Sequence, residues 1–278
     1  MRRMMITGAG HGMGHELARR AITRGDQVFA TFLPGEDASV LGSHPNLIQL
    51  EIDVGSDASV AAAFAAIDLA LDGRPLDVVI NCAGVSPSGA LEVEPIATLE
   101  RVININAVGS ARMLKASLPR LRGHQGRILL FASLWGRVAG PMLSAYCASK
   151  HAIEAIVDST RREIKGQGVD IVLIEPGVVR TNMVADTVSG SRAGADQLPS
   201  EHRQRYGDLY EKFARMIARE STGGVSVDTA ADVIEHAAFT SRPKTRYRIG
   251  KDAKAVIALT NILPDRAFDA VFRNMLDR

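Results

Sequence analysis

The chain alternates short apolar runs with longer stretches in which apolar residues recur at helical spacing. Near-continuous apolar runs are typical of parallel strands covered on both faces, and strands alternating with helices predict a doubly wound parallel α/β sheet. Strands are predicted at residues 2–6, 27–32, 47–52, 77–81, 127–131 and 169–175. Helices are predicted at residues 15–23, 57–71, 96–121, 144–165, 206–220, 228–239 and 253–263. The small-residue run 189–195 is predicted to be a loop.

Length and charge narrow the class of protein. A chain of 278 residues can bury a substantial core and lies within the range of one large α/β domain, expected here to span residues 1–278. The net charge of +2 argues against a nucleic-acid-binding surface. The basic stretch 242–254 is expected to be a solvated strand edge.

The sequence predicts no export signal, membrane span, disulfide framework or metal site. The first strand begins at residue 2, which leaves no place for a signal peptide. No apolar run approaches the ~20 residues of a membrane-spanning helix. Cys82 and Cys147 are too few for a disulfide framework, and scattered histidines such as His15 and His44 lack the spacing of metal ligands. A cytoplasmic location is therefore expected.

A glycine-rich loop joins the first predicted strand to the first predicted helix. Its sequence is Thr7-Gly8-Ala9-Gly10-His11-Gly12-Met13-Gly14. Strand, glycine loop and helix in this order are the context of a dinucleotide-binding site. The glycines let the backbone approach a pyrophosphate, which meets the unpaired N–H groups and the positive dipole end of the following helix.

Three side chains of complementary chemistry lie between residues 133 and 150. Tyr146 and Lys150 are four residues apart in a predicted helix and therefore share a face. A free tyrosine loses its proton at about pH 10. A neighbouring cation lowers that pKa, so Tyr146 could exchange a proton with a substrate oxygen. Ser133 follows a predicted strand at the sheet edge where ligands bind, so all three groups could converge on one oxygen.

These motifs, with others in the same order, resemble the classical short-chain dehydrogenase/reductase family. The matching segments are residues 7–14, 81–84, 106–109, 133, 146–150 and 176–181. Cys82 departs from the family's Asn-Asn-Ala-Gly pattern by replacing the second Asn. The resemblance covers about residues 2–182, and the tail of the chain is similar to hydroxysteroid and retinol dehydrogenases.

The resemblance implies a Rossmann-like fold and an NAD(P)-dependent oxidoreductase that interconverts a secondary alcohol and a ketone. Tyr146 would exchange the proton and Ser133 would hold the substrate oxygen. Lys150 would lower the pKa of Tyr146 and bind the nicotinamide ribose. Asn106 would hold a water that links Lys150 to solvent; Asn104 is its rival, and the spacing to the following glycine favours Asn106.

The resemblance also implies which residues contact the cofactor. They are Thr7, Gly8, Gly10, His11, Gly12, Met13, Gly14, Asp53, Val54, Asn81, Ala83, Gly84, Tyr146, Lys150, Pro176, Gly177, Val179 and Thr181. An acid at the end of the second strand favours NAD and a basic residue there favours NADP, but this chain has Phe32 and Leu33. The missing acid and the nearby His11 favour NADP, with NAD as the alternative. Glu36 and Asp37 could contact a ribose, although a loop acid is usually solvated.

Substrate and assembly follow from the same resemblance. Residues 183–225 would form a substrate lid and residues 240–278 a C-terminal extension. The apolar lid and tail suggest a lipophilic small molecule that is steroid-, retinoid- or aliphatic-like. The long helices form subunit contacts in relatives, so a homodimer or homotetramer is expected. One alternative function is a non-catalytic NAD(P)-binding sensor of the same fold, although all four catalytic positions are filled. A second is a methyltransferase that binds adenosylmethionine at the glycine loop, which would not need Ser133, Tyr146 and Lys150 together.

Overall fold

The computed structural model describes residues 1–260 and 262–277, and its centre is a seven-stranded parallel sheet. The strands are β1 (Arg3–Thr7), β2 (Gln27–Phe32), β3 (Leu47–Glu51), β4 (Val78–Asn81), β5 (Gly126–Phe131), β6 (Val169–Pro176) and β7 (Arg246–Ile249). Their order across the sheet is β3-β2-β1-β4-β5-β6-β7. The winding reverses between β1 and β4, and in such sheets a ligand crevice opens at that point beyond the carboxyl ends of the strands.

Helices cover both faces of the sheet, which confirms the predicted fold class. They are α1 (Gly12–Thr23), α2 (Asp57–Leu71), α3 (Ile96–Val102), α4 (Gly109–Leu121), α5 (Ser144–Glu163), α6 (Asn182–Gln197), α7 (Ser200–Gly223), α8 (Val227–Phe239), α9 (Lys251–Thr260) and α10 (Asp265–Asp277). The helices α1 and α8 pack on one face, and α2, α4 and α5 pack on the other. Within the described residues, no helix combines the length and apolarity needed to cross a bilayer.

The central strands β1, β4 and β5 are mostly apolar because both of their faces are buried. Met5 of β1 packs in the cluster that contains Phe64 of α2. Its neighbours Met4 and Ile6 pack in the opposite cluster with Leu17 of α1. Successive side chains of a strand point to opposite faces, so burial on both sides favours apolar residues at most positions. This is why apolar runs predicted six of the seven strands closely.

The run 189–195 is helical, so the loop predicted there is wrong. It lies inside α6, which packs against α7. The Ser191 hydroxyl donates to the backbone carbonyl of Tyr210 at 3.0 Å. A Cβ at Gly194 would lie 2.9 Å from the Tyr210 ring. The small residues that suggested a loop instead let two helices approach each other closely.

The basic stretch after residue 240 contains β7 at the edge of the sheet, but its arginines are not simply solvated. Arg246 lies 2.8 Å from the Glu154 carboxylate and 2.9 Å from that of Asp158. Arg248 lies 3.0 Å from Glu175, which is fully buried on β6. The expectation of a solvated edge is therefore wrong for Arg246, which is half-buried against the buried Glu154 of α5, whereas Arg248 is exposed as expected and also pairs with Glu175.

Candidate active site

The loop between β1 and α1 has the backbone geometry of a phosphate cradle. Gly8 and Gly12 have φ of +65° and +59°, in the left-handed region that favours glycine. A Cβ at Gly14 would overlap the Gly8 carbonyl oxygen, so only glycine fits there. The first turn of α1 has no acidic residue and the helix has no side-chain cap, which leaves its N–H groups available to an anion. The loop therefore fits the pyrophosphate of a dinucleotide.

Most of the predicted cofactor residues line two adjoining cavities. The first, called the groove, is lined by Gly8, His11, Gly12, Met13, Gly14, Asp53, Val54, Ala83, Gly84 and Thr181. The second, called the cleft, is lined by Tyr146, Lys150, Pro176, Gly177 and Val179, and shares Met13, Gly84 and Thr181 with the groove. Thr7, Asn81 and Gly10 lie outside both linings.

Thr7 and Asn81 are buried behind the wall of the groove. The Thr7 hydroxyl donates to the Asn81 side-chain oxygen at 2.7 Å and accepts from the backbone N–H of Ala83 at 3.0 Å. The Asn81 amide also donates to the Ser110 hydroxyl at 3.4 Å. These bonds tie β1, β4 and α4 together and fix the position of Ala83 in the wall. Gly10 is covered by the Glu36 carboxylate, which occupies the space of a Cβ there.

Ser133, Tyr146 and Lys150 meet at the carboxyl edge of the sheet. Ser133 follows β5, and its hydroxyl donates to the Pro176 carbonyl at 3.4 Å. Tyr146 and Lys150 lie one turn apart on α5, with the Lys150 Nζ 5.5 Å from the centre of the Tyr146 ring. That Nζ donates to the carbonyl of Phe131 at 2.7 Å. All three side chains line the cleft, as the sequence pattern predicted.

Burial dominates the proton affinities of this cluster. It lowers the pKa of the Lys150 ammonium to about 8. It also raises the pKa of the Tyr146 phenol to about 12, while a hydrogen bond with Ser133 opposes that rise. The expectation that the Tyr146 pKa is depressed is therefore wrong, because desolvation raises it. Tyr146 therefore holds its proton across the neutral range and is set up as a proton donor.

Asn106 lies in a π-helical turn, residues 103–108, that interrupts the predicted helix 96–121 between α3 and α4. Its side chain accepts from the Val85 N–H and donates to the Val85 carbonyl, both at 2.9 Å, and also donates to the Ser149 hydroxyl at 3.0 Å. Asn104 points elsewhere, toward the carbonyl of Gly55 at 3.0 Å. Of the two candidates, Asn106 is the one beside the catalytic helix.

The cleft in front of Tyr146 has mostly apolar walls. They include Val85, Phe131, Trp135, Leu143, Met183, Val184 and Ile217. Trp135 also stacks on Phe272 of α10, with ring centres 5.8 Å apart. Most of these residues were not predicted as site residues, because they come from separate loops and helices and no local motif marks them.

Glu36 lines the groove, so the expectation that its side chain is simply solvated is wrong. Its carboxylate accepts from the backbone N–H of Leu33 at 2.9 Å and lies 3.7 Å from the imidazole of His11. Leu33, Glu36 and Asp53 all line the end of the groove formed by the loops after β2 and β3. Asp53 accepts from the N–H of Gly55 at 2.8 Å, which orders its own loop.

The two cysteines are free, and Cys82 lines both cavities. Burial raises the pKa of its thiol, so it stays protonated. In residues 1–260 and 262–277, no group of three or more His, Cys, Asp and Glu side chains is arranged to hold a metal ion.

Comparison with known proteins decides the family. Residues 2–192 match the family described as short chain dehydrogenase. The chain belongs to this family. Together with the glycine loop and the Ser133, Tyr146 and Lys150 cluster, membership makes the protein an NAD(P)-dependent alcohol dehydrogenase or carbonyl reductase.

Relatives and solved structures extend over nearly the whole chain. An NADPH-dependent 3-dehydrocapnine reductase from Ornithobacterium rhinotracheale is 29% identical over 98% of this chain and 96% of its own length. Retinol dehydrogenase 7 from Rattus norvegicus is 33% identical over 96% of this chain and 86% of its own. The crystal structure of a short chain dehydrogenase from Burkholderia cenocepacia J2315 in complex with NADP has a TM-score of 0.73 at 22% identity, over 98% and 99% of the two chains. This last likeness concerns the fold alone.

Proposed function

We propose that this short-chain dehydrogenase interconverts a lipophilic secondary alcohol and its ketone. One observation carries the proposal: the groove that begins at the glycine loop opens directly into the cleft that holds Ser133, Tyr146 and Lys150. The groove, as the site for a nicotinamide dinucleotide, is therefore directly connected to the cleft, as the site for proton transfer. The bound cofactor would supply or accept the hydride.

The protein's own residues would manage the proton. Tyr146 donates its proton to the carbonyl oxygen during reduction and takes it back during oxidation. The Ser133 hydroxyl binds the same oxygen and stabilises the charge that develops on it. The ammonium of Lys150 stabilises the phenolate left on Tyr146. Asn106 holds the loop at Val85 and contacts Ser149 beside Lys150, and we propose that it supports a water path to solvent.

The walls of the cleft support a lipophilic substrate. Among its described lining residues, Lys150 is the one charged side chain. An apolar cleft with few polar groups favours a ligand that is apolar except at the reacting oxygen. The rat relative named as a retinol dehydrogenase supports the same substrate class. Steroid-like, retinoid-like and aliphatic alcohols or ketones are the candidates.

We propose that residues 183–225 act as a substrate lid on a single catalytic domain, residues 1–278. The Thr187 hydroxyl donates to the carbonyl of Ser86 at 3.2 Å, and the Tyr210 hydroxyl accepts from the N–H of Ala90 at 3.1 Å. These bonds join α6 and α7 to the loop after β4. Residues 240–278 form the C-terminal extension, which reaches the cleft where Phe272 meets Trp135.

The cofactor is NAD or NADP, and we propose NADP as the preferred one. The lack of an acid at the end of β2 supports NADP, as does the relative named as NADPH-dependent. The Glu36 carboxylate in the groove acts in the opposite direction, because it repels a 2′-phosphate. Titrating NADPH and NADH separately against the protein, with nicotinamide fluorescence as the readout, would rank the two affinities.

A substrate panel tests the proposed activity. Steroids, retinoids and aliphatic ketones are incubated with the protein and NADPH or NADH, and the change in nicotinamide absorbance is recorded. We expect turnover with at least one of these lipophilic classes. Turnover confined to small polar sugars or acyl-thioesters would contradict the substrate class. Cofactor binding without any turnover, unchanged by Tyr146→Phe, would favour the sensor alternative.

We further propose a homodimer or homotetramer that resides in the cytoplasm. A shallow groove between α4 and α5 is lined by Lys115, Arg122, Ile156 and Thr160, with the buried Leu114 and Leu118 at its floor. Subunit contacts on this face would cover it. Two unpaired cysteines suit a reducing compartment. A monomer mass measured by light scattering would contradict the proposed oligomer. Recovery of the protein in another cell fraction would contradict the proposed cytoplasmic location.

A further inference from the structure

Asp252 at the start of α9 reaches out of the C-terminal extension to the loop that borders the cleft. Its carboxylate accepts a hydrogen bond from the backbone N–H of Val178 at 2.7 Å. Val178 belongs to residues 176–181, which connect β6 to α6 and line the cleft. Asp252 is not itself a lining residue.

Two glycines make room for this carboxylate. A Cβ at Gly177 or at Gly250 would overlap the Asp252 side-chain oxygens. Gly250 also has φ of +96°, which favours glycine and turns the chain from β7 into α9. The carboxylate lies in the first turn of α9, where the positive end of the helix dipole stabilises it. The two glycines and the first turn of α9 together therefore fix the position of the Asp252 carboxylate.

The loop is held from its other side by two backbone bonds and by the Arg180 side chain, which donates to the Gly224 carbonyl at 2.9 Å. The N–H of Val225 donates to the carbonyl of Val178, and the N–H of Arg180 donates to the carbonyl of Val225, both at 3.0 Å. Asp252 is the side chain that completes this support at Val178. Without it, the Val178 N–H would lose its hydrogen bond.

The loop in turn touches the catalytic serine. The Ser133 hydroxyl donates to the carbonyl of Pro176, two residues before Val178. The same helix α9 also packs beneath the residue after Ser133, because Ala253 is fully buried against Leu134. Helix α9 thus supports two segments of the site: the turn that begins at Leu134, directly after Ser133, and the loop 176–181 that faces it.

We infer that Asp252 is a positioning residue for the nicotinamide end of the site, an inference that rests on the proposed function. Its carboxylate holds the loop 176–181 in the position in which the loop lines the cleft and contacts Ser133. The C-terminal extension would then be a working part of the active site. The adenosine end of the groove, around Glu36 and Asp53, makes no contact with Asp252 in the described residues.

The test compares whole cofactors with fragments that lack nicotinamide. Asp252→Ala, Asp252→Asn and the wild type are titrated with NADPH and NADH, and with 2′-phospho-ADP-ribose and ADP-ribose. For Asp252→Ala we expect the affinity for the preferred whole cofactor to fall by about tenfold or more, because a charge-assisted hydrogen bond to the loop is lost. The matching fragment should bind within about threefold of wild type, since it reaches only the adenosine end.

Two further variants fix the interpretation. The amide oxygen of Asp252→Asn can still accept from Val178, so this variant should remain within about threefold of wild type for both ligands. Asp265→Ala removes an exposed acid from the first turn of α10 and should change neither affinity. If Asp252→Ala does not fold, Asp252→Glu serves instead, because its longer side chain does not fit between Gly177 and Gly250.

The outcomes separate this inference from the proposed function. Equal losses for whole cofactor and fragment would mean a general structural role and would overturn the inference, as would wild-type affinity in Asp252→Ala. Failure of Asp252→Asn to restore binding would overturn the assignment of the hydrogen bond. A wild-type protein that binds neither NADPH nor NADH would contradict the proposed function itself.

Discussion

At the scale of single residues, the most consequential feature is a buried cation. Lys150 is 5% exposed, and its ammonium donates to the carbonyl of Phe131. Burial disfavours the charged form and brings the pKa of this group to about 8. The neighbouring Tyr146 keeps its proton to about pH 12. Within the physiological range, Lys150 is therefore the group of this pair that titrates.

This difference predicts the pH dependence of reduction. As pH rises through about 8, Lys150 loses its charge while Tyr146 stays protonated, so kcat/KM for reduction should fall. Lys150→Arg keeps a positive charge at these pH values, so the falling limb of its residual activity should move to higher pH. Both pH profiles are measured as steady-state rates from pH 6 to pH 10, at intervals of about half a pH unit. A limb that stays at the same pH in Lys150→Arg would assign it to another group.

Glu36 predicts how the protein discriminates between cofactors. Its carboxylate lies in the groove beside His11, and removal of its charge should relieve repulsion of a 2′-phosphate. Glu36→Gln should therefore bind NADPH about threefold to tenfold more tightly, with little change for NADH. Titration by nicotinamide fluorescence measures both values. Asp37→Asn is the control, because Asp37 is exposed, accepts from the N–H of Ser39 in its own turn and is not among the residues that line the groove. Equal changes for the two cofactors would remove Glu36 from this role.

Glu154 predicts how stability depends on pH. Burial, together with the charge of Glu175, raises the pKa of Glu154 to about 7, although Arg246 opposes the rise. The folded state thus holds a proton that the unfolded state releases at lower pH, and the resulting stabilisation is lost as pH rises from about 4.5 through 7. Glu154→Gln should raise the melting temperature at pH 8 relative to wild type by more than it does at pH 5.

Thermal unfolding at the two pH values measures this difference. Glu211→Gln is the control, because Glu211 is exposed on α7 and its substitution should be neutral at both pH values. A pH-independent effect of Glu154→Gln would mean that the Arg246 ion pair, and not the shared environment with Glu175, controls the energetics.

At the scale of elements, the glycine loop and α1 form one anion-binding unit. Gly14→Ala would drive a Cβ into the Gly8 carbonyl, so we expect the loop to open and NAD(P)H affinity to fall by about 100-fold. Gly190→Ala in α6 is the matched control, since a Cβ there meets nothing within 4 Å. It should bind cofactor normally and gain up to about 1 kcal/mol of stability from helix propensity. Fluorescence titration and thermal unfolding separate the two effects, and unchanged binding in Gly14→Ala would contradict the phosphate cradle.

The elements also show how far sequence reasoning extends. Two-sided burial makes six strands predictable from apolar runs, and local motifs are sufficient to identify Ser133, Tyr146 and Lys150. The π-helical turn around Asn106 was not predictable, because side-chain bonds to Val85, 21 residues away, accompany it. The groove position of Glu36 was also missed, because it depends on how the loop after β2 folds back over Gly10.

At the scale of the whole molecule, sheet topology assembles the site. Thr7 and Asn81 are 74 residues apart in sequence, yet they share a hydrogen bond because β1 and β4 are neighbours. The same arrangement places the end of β5 beside the end of β6, where Ser133 meets Pro176. The catalytic helix α5 packs over this edge, and the C-terminal extension closes it through Asp252 and Phe272.

The central claim is that Tyr146 passes the proton while the groove binds the cofactor independently. The most direct measurement is a paired assay of Tyr146→Phe: turnover with the best ketone of the lipophilic panel, and NAD(P)H affinity by fluorescence. Tyr206→Phe is the matched control, because its hydroxyl lies outside the cleft and bonds to Glu92. We predict that Tyr146→Phe loses at least about 100-fold in kcat with cofactor affinity within about threefold of wild type, and that Tyr206→Phe keeps both. Wild-type turnover in Tyr146→Phe would contradict the account.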